Sequence, residues 1–167
     1  MSLWIFNLPI PPSANQMHSV GSNKVWRQKK DGTKYLSTSA HVYNSPELRH
    51  FYLQCKNFAN INYVQIAGIR KQCVDWISKG FVLKTEAWVG FENSRVWTKN
   101  GQPQKIDSDN RLKPLQDGLS KMLSIDDCWQ YCSSIEKVTV VSKDLESCTV
   151  RITPIKPRTM EEIIRLK

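Results

Sequence analysis

The sequence predicts an α/β fold: a single mixed β-sheet with packed α-helices, formed by one domain spanning residues 1–167. Three observations predict it. Strand-like and helix-like segments follow one another as β, hairpin, α, β, α, β, β, an order that one sheet with helices against it accommodates. A length of 167 residues suits one domain. An apolar fraction of 40%, with six Trp, is enough for a core and excludes disorder over most of the chain.

The elements follow in order. Residues 3–8 (Leu-Trp-Ile-Phe-Asn-Leu) read as a strand, ended by Pro9, Pro11 and Pro12, which donate no ladder hydrogen bond. Asp31-Gly32 marks a hairpin turn between two short strands within 24–36. Residues 46–79 read as two helical pieces. Pro46 and Glu47 suit a first turn, and Leu48, Phe51, Tyr52, Cys55, Phe58 and Ala59 fall at three- and four-residue steps. The second piece covers 62–78, with Gly80 as its stop. Residues 81–91 alternate as a strand, and the polar stretch 92–106 reads as a loop. Residues 109–123 form a helix with Asp109 as N-cap and Leu112, Leu115 and Leu119 on its buried stripe. Two strands at 134–142 and 147–153 are expected to pair antiparallel, and the tail 159–167 carries a short helix.

The chain has 24 Lys and Arg against 15 Asp and Glu, a formal charge of +9, which favours a polyanionic partner such as nucleic acid. The hairpin concentrates Lys24, Arg27, Lys29, Lys30 and Lys34 around Trp26 and Tyr35. Cations interleaved with aromatics suit a nucleic-acid surface, and equally an ordinary solvated hairpin. Five Cys (55, 73, 128, 132 and 148) show no paired spacing for zinc and read as free thiols in a reducing, cytoplasmic setting. No segment reads as a signal peptide or reaches the roughly 20 apolar residues that span a bilayer, so no membrane partner is expected. His18, His41 and His50 have no evident catalytic partner. Trp4, Trp76, Trp88 and Trp97 read as core, and Trp129 as the indole to watch at a surface.

The stretch that carries chemistry runs from Asp107 to Asp127. Asp107, Asp109, Asp117, Asp126 and Asp127 fall within 21 positions of an otherwise basic chain. Asp107 and Asp109 flank one residue, so in extended backbone both carboxylates point to one side. Lys113 and Asp117 stand four apart on one helical face. Carboxylates that converge can hold Mg²⁺, and a nearby lysine can offset charge on a phosphate: the residue types that phosphodiester cleavage needs. The bland alternative is a capping Asp109, an Asp117 paired with Lys113 or Lys121, and a turn at Asp126-Asp127.

Three segments resemble the RusA family of Holliday junction resolvases. They are Leu8-Pro9-Ile10-Pro11-Pro12-Ser13-Ala14-Asn15, the run Asp107-Ser108-Asp109-Asn110-Arg111-Leu112-Lys113 with Asp117-Gly118-Leu119, and Ile125-Asp126-Asp127. The second is the specific one; residues 38–106 match in element order alone. The resemblance implies a RusA-like homodimer that binds four-way junctions or other branched DNA and nicks opposed strands with Mg²⁺, or Mn²⁺. It assigns Asp107, Asp109 and Asp127 to metal and catalysis and Lys113 to catalysis, with Asn110, Asp117 and Asp126 in support. Extra length at 60–80 and 92–106, and Ile106 in place of a basic residue before Asp107, depart from the pattern. DNA grip near the site would then fall to Arg95, Lys99, Lys105 and Arg111. A non-catalytic branched-DNA-binding module, or a nuclease acting on flaps or single strands, are the competing readings.

Overall fold

A computed structural model describes residues 1–104 and 109–164; Lys105 and Asp107, both singled out above, lie outside the described residues. The strands are β1 (Leu3–Leu8), β2 (His18–Gln28), β3 (Lys34–Asn44), β4 (Val82–Glu92), β5 (Cys132–Val140) and β6 (Cys148–Ile155). The helices are α1 (Pro46–Ile61), α2 (Tyr63–Ser78), α3 (Asn93–Val96), α4 (Leu112–Leu123) and α5 (Met160–Ile164). Short 3₁₀ turns at Ala14–Gln16, Asp109–Arg111, Asp127–Trp129 and Lys143–Leu145 join them. No helix among the described residues is long and apolar enough to cross a membrane.

The α/β class and the mixed sheet hold, but the expected single sheet is two. A four-stranded sheet has the order β1-β6-β4-β5, and β2 and β3 form a separate two-stranded ribbon. The ribbon is longer than the sequence signals, because the pairing runs from His18↔Asn44 to Gln28↔Lys34 through Ser- and Asn-rich segments. Its turn closes where expected: Gly32 adopts φ 86°, and Thr33 N donates to the Asp31 carboxylate at 2.9 Å.

The last two strands run in opposite directions but are not neighbours. β4 lies between them, antiparallel to β6 and parallel to β5. Parallel neighbours need a long crossover, and the segment holding α3 and α4 supplies it. The following connection then passes over the end of β4, where Gly90 N donates to Ser147 O at 2.8 Å. A Cβ at Gly90 would stand 3.0 Å from Val140 Cγ1 and 3.5 Å from Ser147 O, so a larger residue here would be tightly packed against β5.

Alternation along each strand sets the layers. Ile5, Ala87, Val89, Val150 and Ile152 turn one sheet face onto Ile69, Cys73, Leu115 and Leu119 of the helices. The other face is open. There Arg151 lies over both Trp4 and Trp88, at 5.4 and 5.5 Å, and Trp4 stacks on Phe6 at 5.7 Å. Of the four Trp expected in the core, Trp76 alone is buried; Trp4 and Trp97 are exposed because they stand on the open face and in the 92–104 segment.

α1 begins as the sequence predicts. Ser45 accepts from Leu48 N at 3.0 Å and Pro46 follows at the first helical position. The buried Ser45 hydroxyl also donates to the Gln16 carbonyl, and Met17 joins Leu48, Phe51 and Cys55 in a second small core. These contacts root the ribbon on α1. α2 stops at Lys79, with Gly80 at φ 81°.

Candidate active site

α4 presents the central lysine. Lys113 is its second residue, and Asp117 follows one turn later on the same face. The buried Pro114 fits this first turn, where a missing N–H has no intrahelical partner to lose. The helix does not start as expected. Its N-cap is Arg111, with no side-chain cap bond, and Asp109 instead opens the 3₁₀ turn Asp109–Arg111 that leads into it. That tight turn displaces the cap position by two residues. Asn110 sits within it.

Asp127 returns to Lys113 by a folded-back loop. Ser124 ends α4 in the left-handed conformation, φ 52°, and Ile125 N donates to Ser120 O at 3.1 Å. Ile125 is buried and anchors the loop. Asp126 caps the next 3₁₀ turn by accepting from Cys128 N at 2.9 Å, and that bond, first of its causes, lowers its pKa. Gln130 Nε2 donates to Gln116 O at 3.1 Å and to Ser120 Oγ at 2.9 Å, tying the loop to α4.

The result is a convergence on one nitrogen. Lys113 Nζ stands 2.8 Å from Asp117 Oδ1 and 2.7 Å from Asp127 Oδ2. Two oxygens within 2.8 Å of one atom are close enough to share a cation. Hydrogen bonds to Asp117, then Asp127, raise the Lys113 pKa, so its charge is secure at any physiological pH. Asp126, by contrast, is engaged with its own turn.

A residue that spacing did not reveal completes the cluster. Tyr52 of α1 donates its hydroxyl to Asp117 Oδ2 at 3.3 Å, and Lys121 Nζ lies 4.9 Å from its ring centroid. Burial, then the Asp117 charge, pushes the Tyr52 pKa up to about 12. The approach of α1 to α4 depends on Gly118, where a Cβ would stand 2.9 Å from Phe51 Cε1. The helical stripe placed Tyr52 on the packed side of α1, but nothing in the sequence pointed from it to Asp117, 65 positions on.

The cations expected to grip DNA divide. Arg111 is partly buried: it donates to the Pro11 carbonyl, lies 5.1 Å over the Phe91 ring, and its pKa is lowered chiefly by burial. It thereby joins the proline-rich turn to the start of α4. Arg95 bonds Glu146 at 2.5 Å, while Lys99 is exposed. Lys24, Arg27, Lys29, Lys30 and Lys34 are exposed along the ribbon. Trp129, beside Asp127, is also exposed.

The candidate metal set is therefore seen in part. The Asp127 side chain is placed; only the backbone of Asp109 is described; Asp107 is outside. Among the described residues no group of three or more His, Cys, Asp or Glu gathers to hold a metal. Compared with known proteins, the chain matches no family model and no curated sequence.

Proposed function

We propose that this chain is a metal-dependent endodeoxyribonuclease that resolves four-way DNA junctions by paired nicking of opposed strands, as a RusA-like homodimer. One observation carries the reading: Lys113 holds both Asp117 and Asp127, although Asp127 lies 14 positions away, in a chain of net charge +9. A lysine amid carboxylates on a basic protein suits cleavage of a phosphodiester.

The donor chemistry fits Mg²⁺ or Mn²⁺, since Asp127 contributes carboxylate oxygen and hard cations prefer oxygen ligands. Asp107, Asp109 and Asp127 would hold the ion. When bound, it supplies an activated water and offsets charge at the scissile phosphate. Lys113 remains charged and can offset charge that develops on phosphate oxygens. Asp117 fixes the ammonium from one side, and Tyr52 fixes Asp117. Asp126 shapes the turn that presents Asp127. The five cysteines are free, which supports a reducing, cytoplasmic setting.

A labelled four-way junction, incubated with and without Mg²⁺, tests the proposal. The wild-type chain should place symmetric nicks in opposed strands only with metal. Asp109→Asn and Asp127→Asn should each lower nicking at least about 100-fold and leave junction binding intact, because distant lysines make those contacts. Undiminished cleavage by both variants would remove the site.

One observation favours the second reading, a non-catalytic branched-DNA-binding module. Lys113 already engages the Asp117 and Asp127 carboxylates in ion pairs. Calorimetric titration with Mg²⁺ separates the two: an enzyme binds the ion and loses that binding with Asp127→Asn, whereas a module shows no carboxylate-dependent uptake. Cutting compared on a flap, a single strand and a junction distinguishes the substrates.

A further inference from the structure

Near the turn of the β2–β3 ribbon is a recess of about 520 Å³ lined by Trp26, Arg27, Gln28 and Lys34. The pairing Gln28↔Lys34 and the two-residue alternation put Trp26, Gln28 and Lys34 on one face of the ribbon. Trp26 is 68% exposed there, a large indole surface left to solvent. The recess thus combines an aromatic plane, an amide and two cations.

The charge around it selects the occupant. Between His18 and Asn44 the chain has five Lys and Arg and one acidic residue, Asp31. That carboxylate is engaged with Thr33 N, and among the described residues none of the five cations forms an ion pair. A ribbon this cationic repels a second basic copy and complements phosphate. An indole stacks on any base, the Gln28 amide, whose Nε2 donates to Gly32 O at 3.2 Å, keeps its oxygen for a base edge, and Lys34 takes a flanking phosphate.

We propose that this recess is a binding site for an unpaired nucleotide of a DNA strand, separate from the acidic cluster. The inference rests on the reading of the chain as a DNA-binding protein and deepens it: the substrate would carry single-stranded nucleotides at or near its branch. Trp26 stacks on the base and Lys34, on the same face, takes a flanking phosphate, while Arg27, which alternation turns to the opposite face, adds positive charge at the recess's edge.

Fluorescence anisotropy of the full chain with labelled oligothymidylate, and with a fully paired duplex of the same length, tests it. Trp26→Ala should weaken oligothymidylate binding by about tenfold, the scale of one lost base stack, and change duplex binding by less than about twofold. Trp26→Phe, which keeps a ring, should recover most of the loss. The paired change Arg27→Gln with Lys34→Gln should flatten the salt dependence for oligothymidylate by about one unit or more of log–log slope, whereas Trp26→Ala leaves that slope unchanged. Wild-type affinity in Trp26→Ala overturns the proposal. Equal losses on both substrates also overturn it, and point to a ribbon seated in a duplex groove. Failure of the wild-type chain to bind oligothymidylate removes this site and leaves the nuclease reading to the four-way junction test. Selective loss in Trp26→Ala, in a wild-type chain that never nicks DNA with Mg²⁺, keeps this site and removes only the nuclease.

Discussion

Lys113 is the residue on which the cluster turns. It is exposed enough for water to screen its two ion pairs, so each contributes on the scale of a surface pair, about 0.2–1 kcal/mol. Its removal leaves Asp117 and Asp127 held near one point with no charge between them. Lys113→Ala should therefore lower the melting temperature of the metal-free chain by about 1–4 °C. Added Mg²⁺ should then raise that temperature more than it does in the wild type, because the ion can take the vacated place. A melting scan with and without Mg²⁺ reads both effects; an identical Mg²⁺ response in the two proteins would count against the cluster as a cation site. Tyr52 yields a second prediction. Its folded pKa, pushed up to about 12 by burial and then by Asp117, stands above the ordinary value of 10.0. The folded state thus retains the proton more tightly than the unfolded one. The associated stability is fully present below pH 10, declines between about pH 10 and 12, and is absent above. Tyr52→Phe should flatten that part of the stability–pH curve and leave the neutral range changed by only about 0.5–1.5 kcal/mol, the scale of one hydrogen bond.

At the level of elements, α1 against α4 decides where Asp117 points. Gly118 is the contact: the Phe51 ring and Cys55 Sγ stand so close that a methyl group must displace one of them. Glycine in a helix costs about 1 kcal/mol relative to alanine, so Gly118→Ala would stabilise an open helix. Here the overlap, worth about 1–3 kcal/mol, should outweigh that gain and give net destabilisation in a urea titration. The same shift should lengthen Tyr52–Asp117, so the variant should also show a shallower alkaline fall in stability, burial remaining the larger cause of the raised Tyr52 pKa. How far these elements were legible follows from the range of the interactions that form them. Pro46, the Leu48–Phe51–Cys55 stripe and Gly80 are local signals, and α1 and α2 formed where those signals put them. The insertion of β4 between β5 and β6 is set by a crossover and by pairing on both edges, neither of which a strand's own residues encode. The candidate site divides in the same way. Lys113 and Asp117 are one helical turn apart and could be read directly. Asp127 could be named as a candidate from its acidic neighbourhood, but its distance from Lys113 depends on the loop that Ile125 and Gln130 anchor. Tyr52, and the inward turn of Arg111 to Pro11, depend wholly on tertiary packing.

Across the whole molecule, stability should be unevenly distributed. The four-stranded sheet has its central strands β4 and β6 hydrogen-bonded on both edges and covered on one face by helices. The ribbon has two strands that bond to each other, leaves Val20, Trp26, Leu36 and Tyr43 exposed, and is rooted through Met17 and Ser45 at one end. Two-stranded ribbons are marginal in water without further packing. Local opening of the ribbon should consequently require far less free energy than opening of the sheet. Hydrogen exchange read by mass spectrometry should show peptides from 24–36 exchanging at least about tenfold faster than peptides from β4 and β6. The protection should rise toward the root, where Ser45 N donates to Met17 O at 2.9 Å. If the ribbon grips DNA, adding oligothymidylate should slow exchange in 24–36 and leave β4 and β6 unchanged, since the sheet is already closed. A ribbon as protected as β4 in the free chain would mean that something covers it in solution. In that case its exposed indole would belong to an interface between proteins, and the cations beside it would have to be explained without DNA.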